Sequence, residues 1–252
     1  MGNHSRIASD GRLALRFGGV RISQNIYGIY PHHWPFIAES RQLSSVDAME
    51  LDEMWESGWR HFGTQFFRSS LMVDEMALKR QVALRITLDD YHPSKSQRRT
   101  LRKNADLEHR VSLCRPGREE RDLFDLHKAR FKRNVPNELS EFLGDRPDLR
   151  PNPTLQLSVR LDGRMVAASF LNTGQCSCSS VYAVFDPSES RRRLGIHTML
   201  LELEYARKRG LKYYYSGYAT MEPSCYDYKK DFSGLSFYDW SGVWQRVEEM
   251  VP

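Results

Sequence analysis

The chain has 252 residues, of which 40% are hydrophobic and 12% aromatic, the composition of a soluble globular protein and not of a disordered one. Lys and Arg number 37 against 32 Asp and Glu, and eight of these cations crowd into residues 95–103 and 191–193, a concentration that attracts polyanions more than the net +5 does. No apolar run approaches a membrane span, Met1-Gly2-Asn3-His4-Ser5-Arg6 has no signal-peptide core, and Cys114, Cys176, Cys178 and Cys225 lack zinc-knuckle spacing, so a cytoplasmic protein with reduced thiols and no membrane partner is expected.

In chain order, residues 12–20 predict a short strand ending in Gly18-Gly19. Ser45 suits the N-cap of a helix carrying Val46, Met49, Met54 and Trp55 and stopped by Gly58. Residues 81–88 alternate as a strand with Val82, Leu84, Ile86 and Leu88 on one face. A basic helix follows Pro93, then a strand near Glu108–Leu113, then a helix over 118–133 with Leu123, Leu126 and Phe131 turned to the core. Residues 145–153 hold three of the eleven prolines and predict a surface crossing. Leu155–Leu161 alternates, Asp162-Gly163 is a two-residue hairpin turn, and 165–171 returns as the next strand. A strand over 179–185, a helix over 190–210 capped by Gly210, and a strand over 212–218 complete the pattern.

In the basic helix, Lys95, Arg98, Arg99, Arg102 and Lys103 recur at three- and four-residue spacing on one face. Like charges so placed repel by a few tenths of a kcal/mol per pair. An elongated stripe of this kind suits a polyanion; a solvated basic face is the competing explanation.

The stretch Pro93-Ser94-Lys95-Ser96-Gln97-Arg98-Arg99, continuing through Arg102-Lys103-Asn104 to Asp106-Leu107, resembles a motif of the arginyl-tRNA–protein and bacterial leucyl-tRNA–protein transferases. A second block is similar: Val181-Tyr182-Ala183-Val184-Phe185-Asp186-Pro187, Arg192-Arg193-Leu194-Gly195, Leu203-Glu204-Tyr205-Ala206-Arg207, Tyr215-Ser216-Gly217-Tyr218 and Tyr228-Lys229-Lys230-Asp231-Phe232. Gly58-Trp59-Arg60-His61-Phe62-Gly63 with Phe67-Arg68 is a weaker match, and together these span residues 30–244. The order hairpin, strand, helix with an Arg-rich start, strand also resembles the GNAT acyltransferase fold. The expected class is therefore α/β (α+β): a GNAT-like catalytic domain over 91–252 and a smaller N-terminal domain over 1–90.

In coenzyme A-dependent GNAT enzymes the turn before the helix cradles the pyrophosphate on backbone N–H groups. Here that turn reads Arg192-Arg193-Leu194-Gly195-Ile196-His197, and His197 is expected to obstruct a pyrophosphate. The resemblance likewise implies an acyl donor other than coenzyme A, namely aminoacyl-tRNA as co-substrate with no further cofactor. The reaction it implies is aminolysis of an ester by the α-amine of a protein, a peptide or a small molecule. Effective molarity then supplies much of the barrier reduction.

Within that family frame Asp186 is expected to hold or deprotonate the incoming ammonium, or merely to cap its strand. Tyr218 donates to the carbonyl oxygen, or packs, and Tyr228 is the third catalytic candidate. Ser94, Lys95, Ser96, Gln97, Arg98, Arg99, Arg102, Lys103, Asn104, Arg192, Arg193, Gly195 and Lys229 are expected to bind tRNA or substrate. A partner carboxylate such as Glu189 is the alternative for the arginines. Glu204 is expected to face inward as a structural or amino-acid-binding carboxylate. The family's N-terminal cysteine cluster is replaced, with Leu71, Asp74 and Ala77 in the thiolate positions, and the scattered His32, His33 and His197 make no metal site. A coenzyme A-dependent N-acyltransferase and a non-catalytic tRNA-binding relative are the alternatives.

Overall fold

The computed structural model describes residues 12–17, 20–25, 34–74, 77–132 and 134–247. β1 (Arg12–Phe17) and β2 (Val20–Asn25) pair antiparallel as a separate ribbon. Gly18-Gly19, His32 and His33 lie outside the described residues.

A small antiparallel sheet has the order β3 (Ala38–Gln42), β5 (Gln65–Ser69), β4 (Arg60–Phe62). Helix α1 (Ala48–Glu56) leads into it. Its N-cap is Asp47, whose carboxylate accepts from Glu50 N at 2.8 Å, and not Ser45. Val46 N donates to Pro151 O, which keeps the chain extended until Asp47.

The large sheet has nine strands and contains a GNAT-like order. β9 (Leu155–Leu161), β10 (Arg164–Thr173) and β11 (Ser177–Phe185) form an antiparallel meander, and α5 (Leu194–Lys208) crosses over to the parallel β12 (Tyr213–Thr220). β8 (Glu108–Leu113) lies at one edge beside β9. On the far side of β12 come β7 (Ala77–Thr87), β13 (Leu235–Tyr238) and β14 (Trp244–Arg246), with β6 (Leu71–Asp74) also paired to β7. The first ninety residues thus contribute to both sheets, β3–β5 to the small one and β6–β7 to the large one.

The core divides by sheet face. Val82, Leu84, Ile86 and Leu88 pack with Leu200, Leu203 and Ala206 of α5, while Leu123 and Phe124 of α3 (Arg118–Lys128) and Leu143 of α4 (Ser140–Leu143) pack with Phe170 and Val184. Each large apolar side chain so buried contributes about 1.5–3 kcal/mol. α3 stops at Lys128, and Leu126 is 52% exposed, because the buried face runs through Leu123, Phe124 and His127. α2 (Lys95–Lys103) differs: its buried side chains are Gln97 and Thr100, so polar contacts seat it. No helix among the described residues is long and apolar enough to cross a membrane.

Candidate active site

β11 and β12 pair only at Ser177↔Tyr213, Cys178↔Tyr214 and Ser179↔Tyr215. Just beyond, the β10–β11 register shifts at Val181 and the β12–β7 register shifts at Ser216. An extra residue in a strand bends it and raises its twist. The two parallel strands therefore part, with Ser180 to Tyr182 on one side of a wedge and Ser216 to Tyr218 on the other. Ser216 Oγ is buried there without a hydrogen-bond partner.

The α5 side of the wedge carries a buried acid. Glu202 is 1% exposed and accepts from Tyr214 Oη at 2.5 Å and Ser180 Oγ at 3.4 Å. Burial pushes its carboxyl up to about 7, against the opposing pull of those hydrogen bonds and of the Lys229 charge. Lys229 enters from a 3-10 turn, Asp227–Lys230, and its Nζ donates to Tyr218 O at 3.2 Å. Burial brings its ammonium down to about 8, and the Arg60 charge adds to that; Cys225 and Glu202 oppose it. Gly217, at φ +90°, leaves the lysine room, since a Cβ there would lie 3.2 Å from Nζ. Arg60 is 5% exposed and donates to Trp55 O, Trp59 O and Leu84 O, with no carboxylate partner among the described residues. Its guanidinium lies 4.9 Å from the Tyr215 ring centre and 5.7 Å from that of Tyr218.

The opposite side of the wedge is aromatic. Tyr182 stacks on Phe142 at 3.7 Å, and the contacts continue from Phe142 to Phe62 at 5.0 Å, Phe62 to Phe67 at 5.1 Å and Phe67 to Tyr218 at 6.1 Å. This arch runs from β11 through the small sheet back to β12.

α2 lies beside this site. Ser94 and Gln97 form its capping box, and Lys95, Arg98, Arg99, Arg102 and Lys103 are exposed with no carboxylate partner among the described residues. Asn104 Nδ2 donates to Arg192 O at 2.9 Å, and Arg193 donates to Ser96 Oγ at 2.7 Å, so α2 covers the turn before α5. That turn is a 3-10 segment, Pro187–Arg192, followed by Arg193 in the left-handed region at φ 55°. Arg192 is held internally, by Asp106 at 2.9 Å through both terminal nitrogens and by Glu189 at 3.1 Å. A Cβ on Gly195 would stand 3.2 Å from the Phe185 ring. His197 is 4% exposed and turned into the interior, so the imidazole does not stand over the turn.

Asp186 caps its own turn: Oδ1 accepts from Ser188 N and Oγ, and Oδ2 from Arg164 at 2.5 Å. Tyr218 Oη donates to Gly58 O at 2.8 Å, with Phe67 O at 3.2 Å, which pins β12 to the small sheet. Tyr228 is 40% exposed and lines a recess of about 300 Å³ with Ser94, Ser96, Gln97, Arg193 and Asp231. Glu204 does not face inward. It is exposed and paired with Lys208 at 2.6 Å, on the rim of a second recess of about 230 Å³. The inward carboxylate is Glu202, two residues earlier on the opposite face of α5. Its signal in the sequence was a lone acid inside the apolar run 199–203.

Leu71 is buried in β6, and Asp74 pairs with Ala77 across the β6–β7 turn. Leucine and alanine carry no ligating atom, so this register does not fit a metal or iron–sulfur centre.

The strand order with its split between β11 and β12 is that of a GNAT-like α/β fold, and beside the split lie a buried acid, a lysine held below its ordinary value and an unneutralised basic helix. The model of the family "Arginine-tRNA-protein transferase, C terminus" matches residues 119–239. An aspartate/glutamate leucyltransferase of Leptospira interrogans is 30% identical over 187 residues, 71% of this chain and 70% of the relative. One from Acinetobacter baumannii is 27% identical over 219 residues, 83% and 76%. The structure of L-PGS from Bacillus licheniformis overlaps 72% of this chain and 53% of its own at 12% identity, with a TM-score of 0.46. The chain belongs to the aspartate/glutamate leucyltransferase family, and it is an aminoacyl-tRNA-dependent transferase.

Proposed function

We propose that this chain moves a leucyl group from leucyl-tRNA to the α-amine of proteins or peptides that begin with Asp or Glu. The observation that carries this is the placement of the five cations of α2, none with a carboxylate partner among the described residues, beside the wedge that holds Lys229 and Glu202. The relatives' names supply the leucyl donor and the acidic acceptor.

In the transfer, the neutral α-amine attacks the ester carbonyl, the C–N bond forms, the ester C–O bond breaks and the ribose leaves as its hydroxyl. Lys229, near neutrality partly a free amine, takes the proton that the nitrogen loses as it bonds to the carbonyl and passes it to the departing ribose oxygen. Tyr218 positions Lys229 through its carbonyl. The aromatic arch excludes water and receives the leucyl side chain. Arg60, a fixed buried cation with no carboxylate partner among the described residues, favours an acidic acceptor residue. Lys95, Arg98, Arg99, Arg102 and Lys103 hold RNA phosphates, with Arg193 and Tyr228 at the recess beside them. The tRNA donor and four free cysteines support a cytoplasmic site of action.

The test is transfer of labelled leucine or arginine from charged tRNA to peptides starting with Asp, Glu or Ala, with an acetyl-CoA reaction alongside. Label from leucyl-tRNA on the Asp and Glu peptides is the expected result. Label from arginyl-tRNA alone overturns the donor, equal labelling of the Ala peptide overturns the acceptor, and tRNA-independent acetylation overturns both.

A further inference from the structure

We propose that Gln97 is a positioning residue that joins the basic helix α2 to the turn carrying Lys229, so that RNA on the helix and the amine in the wedge share one register. This rests on Lys229 acting in the wedge as described above.

Gln97 is 4% exposed, and its side chain reaches in two directions. Oε1 accepts from Ser94 N at 2.8 Å and from Tyr91 Oη at 3.2 Å, closing the capping box at the start of α2. Nε2 donates to Asp231 O at 3.2 Å, across 134 residues of chain. Asp231 ends the 3-10 turn Asp227–Lys230, two residues after Lys229.

The capping role requires only the acceptor oxygen, and Glu fills it as well as Gln does. The amide nitrogen is surplus to the cap, and it is the atom that grips the lysine turn. Besides the Lys229 bond to Tyr218 O, the turn carries local contacts: Asp227 accepts from Ser224 N at 3.0 Å and from Lys230 at 2.7 Å. Beyond the Gln97 contact, Ser233 Oγ exchanges hydrogen bonds with the His92 backbone at 2.8 Å, fixing the chain after the turn but not the turn itself. The recess of about 300 Å³ opens at this junction, with Gln97, Arg193 and Asp231 on its walls.

Two variants separate the functions of the side chain. Gln97→Glu keeps the cap and removes the donor to Asp231; Gln97→Met removes both without adding charge. Steady-state kinetics with charged tRNA are expected to show kcat lowered about tenfold, the equivalent of about 1.4 kcal/mol, with KM within about twofold of wild type. Gln97→Glu is expected to retain the wild-type melting temperature within a few degrees.

A readout independent of transfer is the rate of Lys229 acylation by an amine-reactive ester, followed by mass spectrometry with and without uncharged tRNA. RNA is expected to alter that rate in wild type and not in either variant. Unchanged kcat in both variants, or an RNA response of Lys229 equal to wild type, overturns the proposal. A KM rise that accounts for the whole kinetic loss also overturns it, because Gln97 would then belong to the RNA-binding face alone. If wild type transfers no leucine, the functional reading fails, while the acylation experiment still decides whether α2 and Lys229 are coupled.

Discussion

Glu202 and Lys229 are displaced from their ordinary values in opposite directions, to about 7 and about 8. A base near 8 gains its active form as pH rises through that value, so kcat is expected to climb to a plateau above pH 8. Lys229→Met should lower kcat by about 10²–10⁴ and abolish that limb in a pH–rate profile. Glu202 is expected to act on stability as well. Its folded value lies above the ordinary 4.5, so the folded state binds the extra proton between about 4.5 and 7. Stability from this group is present at low pH and is lost as pH rises through that window, on the order of 3 kcal/mol in all. Glu202→Gln, which keeps an acceptor for Tyr214 and Ser180, should therefore be more stable than wild type at pH 8 and nearly equal at pH 5. Urea unfolding at both values checks this, and an equal difference at each would show that Glu202 is not buried in its neutral form.

At the scale of elements, α2 is a helix whose exposed face repels itself. Its seat is a capping box, the Asn104–Arg192 contact and the Arg193–Ser96 contact. Removing Arg98, Arg99 and Arg102 together leaves all of these groups in place except the Arg98 bond to Pro93 O. The triple alanine variant is expected to fold normally while its tRNA affinity depends less on salt, the slope of log K against log salt falling by about 2–3. A fluorescence titration across salt concentrations measures that slope, and an unchanged slope would remove α2 from the RNA interface. This helix was legible in the sequence because Ser94 and Gln97 form a local cap and the cations keep a local spacing. The hairpin was equally legible, since Asp162-Gly163 dictates its own turn. Other features depend on distant chain: Asp47 displaces Ser45 as N-cap because Pro151 holds Val46 extended. The wedge was not legible at all, because it arises from register shifts against β10 and β7. Nor was the burial of Glu202 over Glu204, which depends on which face of α5 meets the sheet.

Across the whole molecule, three histidines among the described residues are buried in different places. His61 sits in the small sheet against Phe66, His127 of α3 accepts from Phe185 N at 3.0 Å, and His197 lies in the first turns of α5. Burial is the main cause that lowers each to about 4, with the charge of Arg60, Arg130, or His109 and Arg192 adding to it. Each folded value is below the ordinary 6.5, so each histidine contributes stability above pH 6.5 that is lost as pH falls towards 4. Near pH 5 these three histidines are protonated in the unfolded chain and neutral in the folded one, while Glu202 holds a proton in the folded chain that it has largely lost in the unfolded one. The net uptake of about two protons gives a slope of roughly 3 kcal/mol per pH unit, the unfolding free energy falling as pH decreases. Urea midpoints at pH 7, 6 and 5 are expected to fall with increasing steepness, and Glu202→Gln should fall more steeply by about one proton. The histidines lie in different elements, β4, α3 and α5, but Tyr218 and Arg60 lock β12 and β7 to the small sheet. One transition carrying the full proton uptake would therefore show that the two sheets unfold together. Two transitions, the first carrying only the His61 share, would show that the small sheet comes away from the wedge before the large sheet opens.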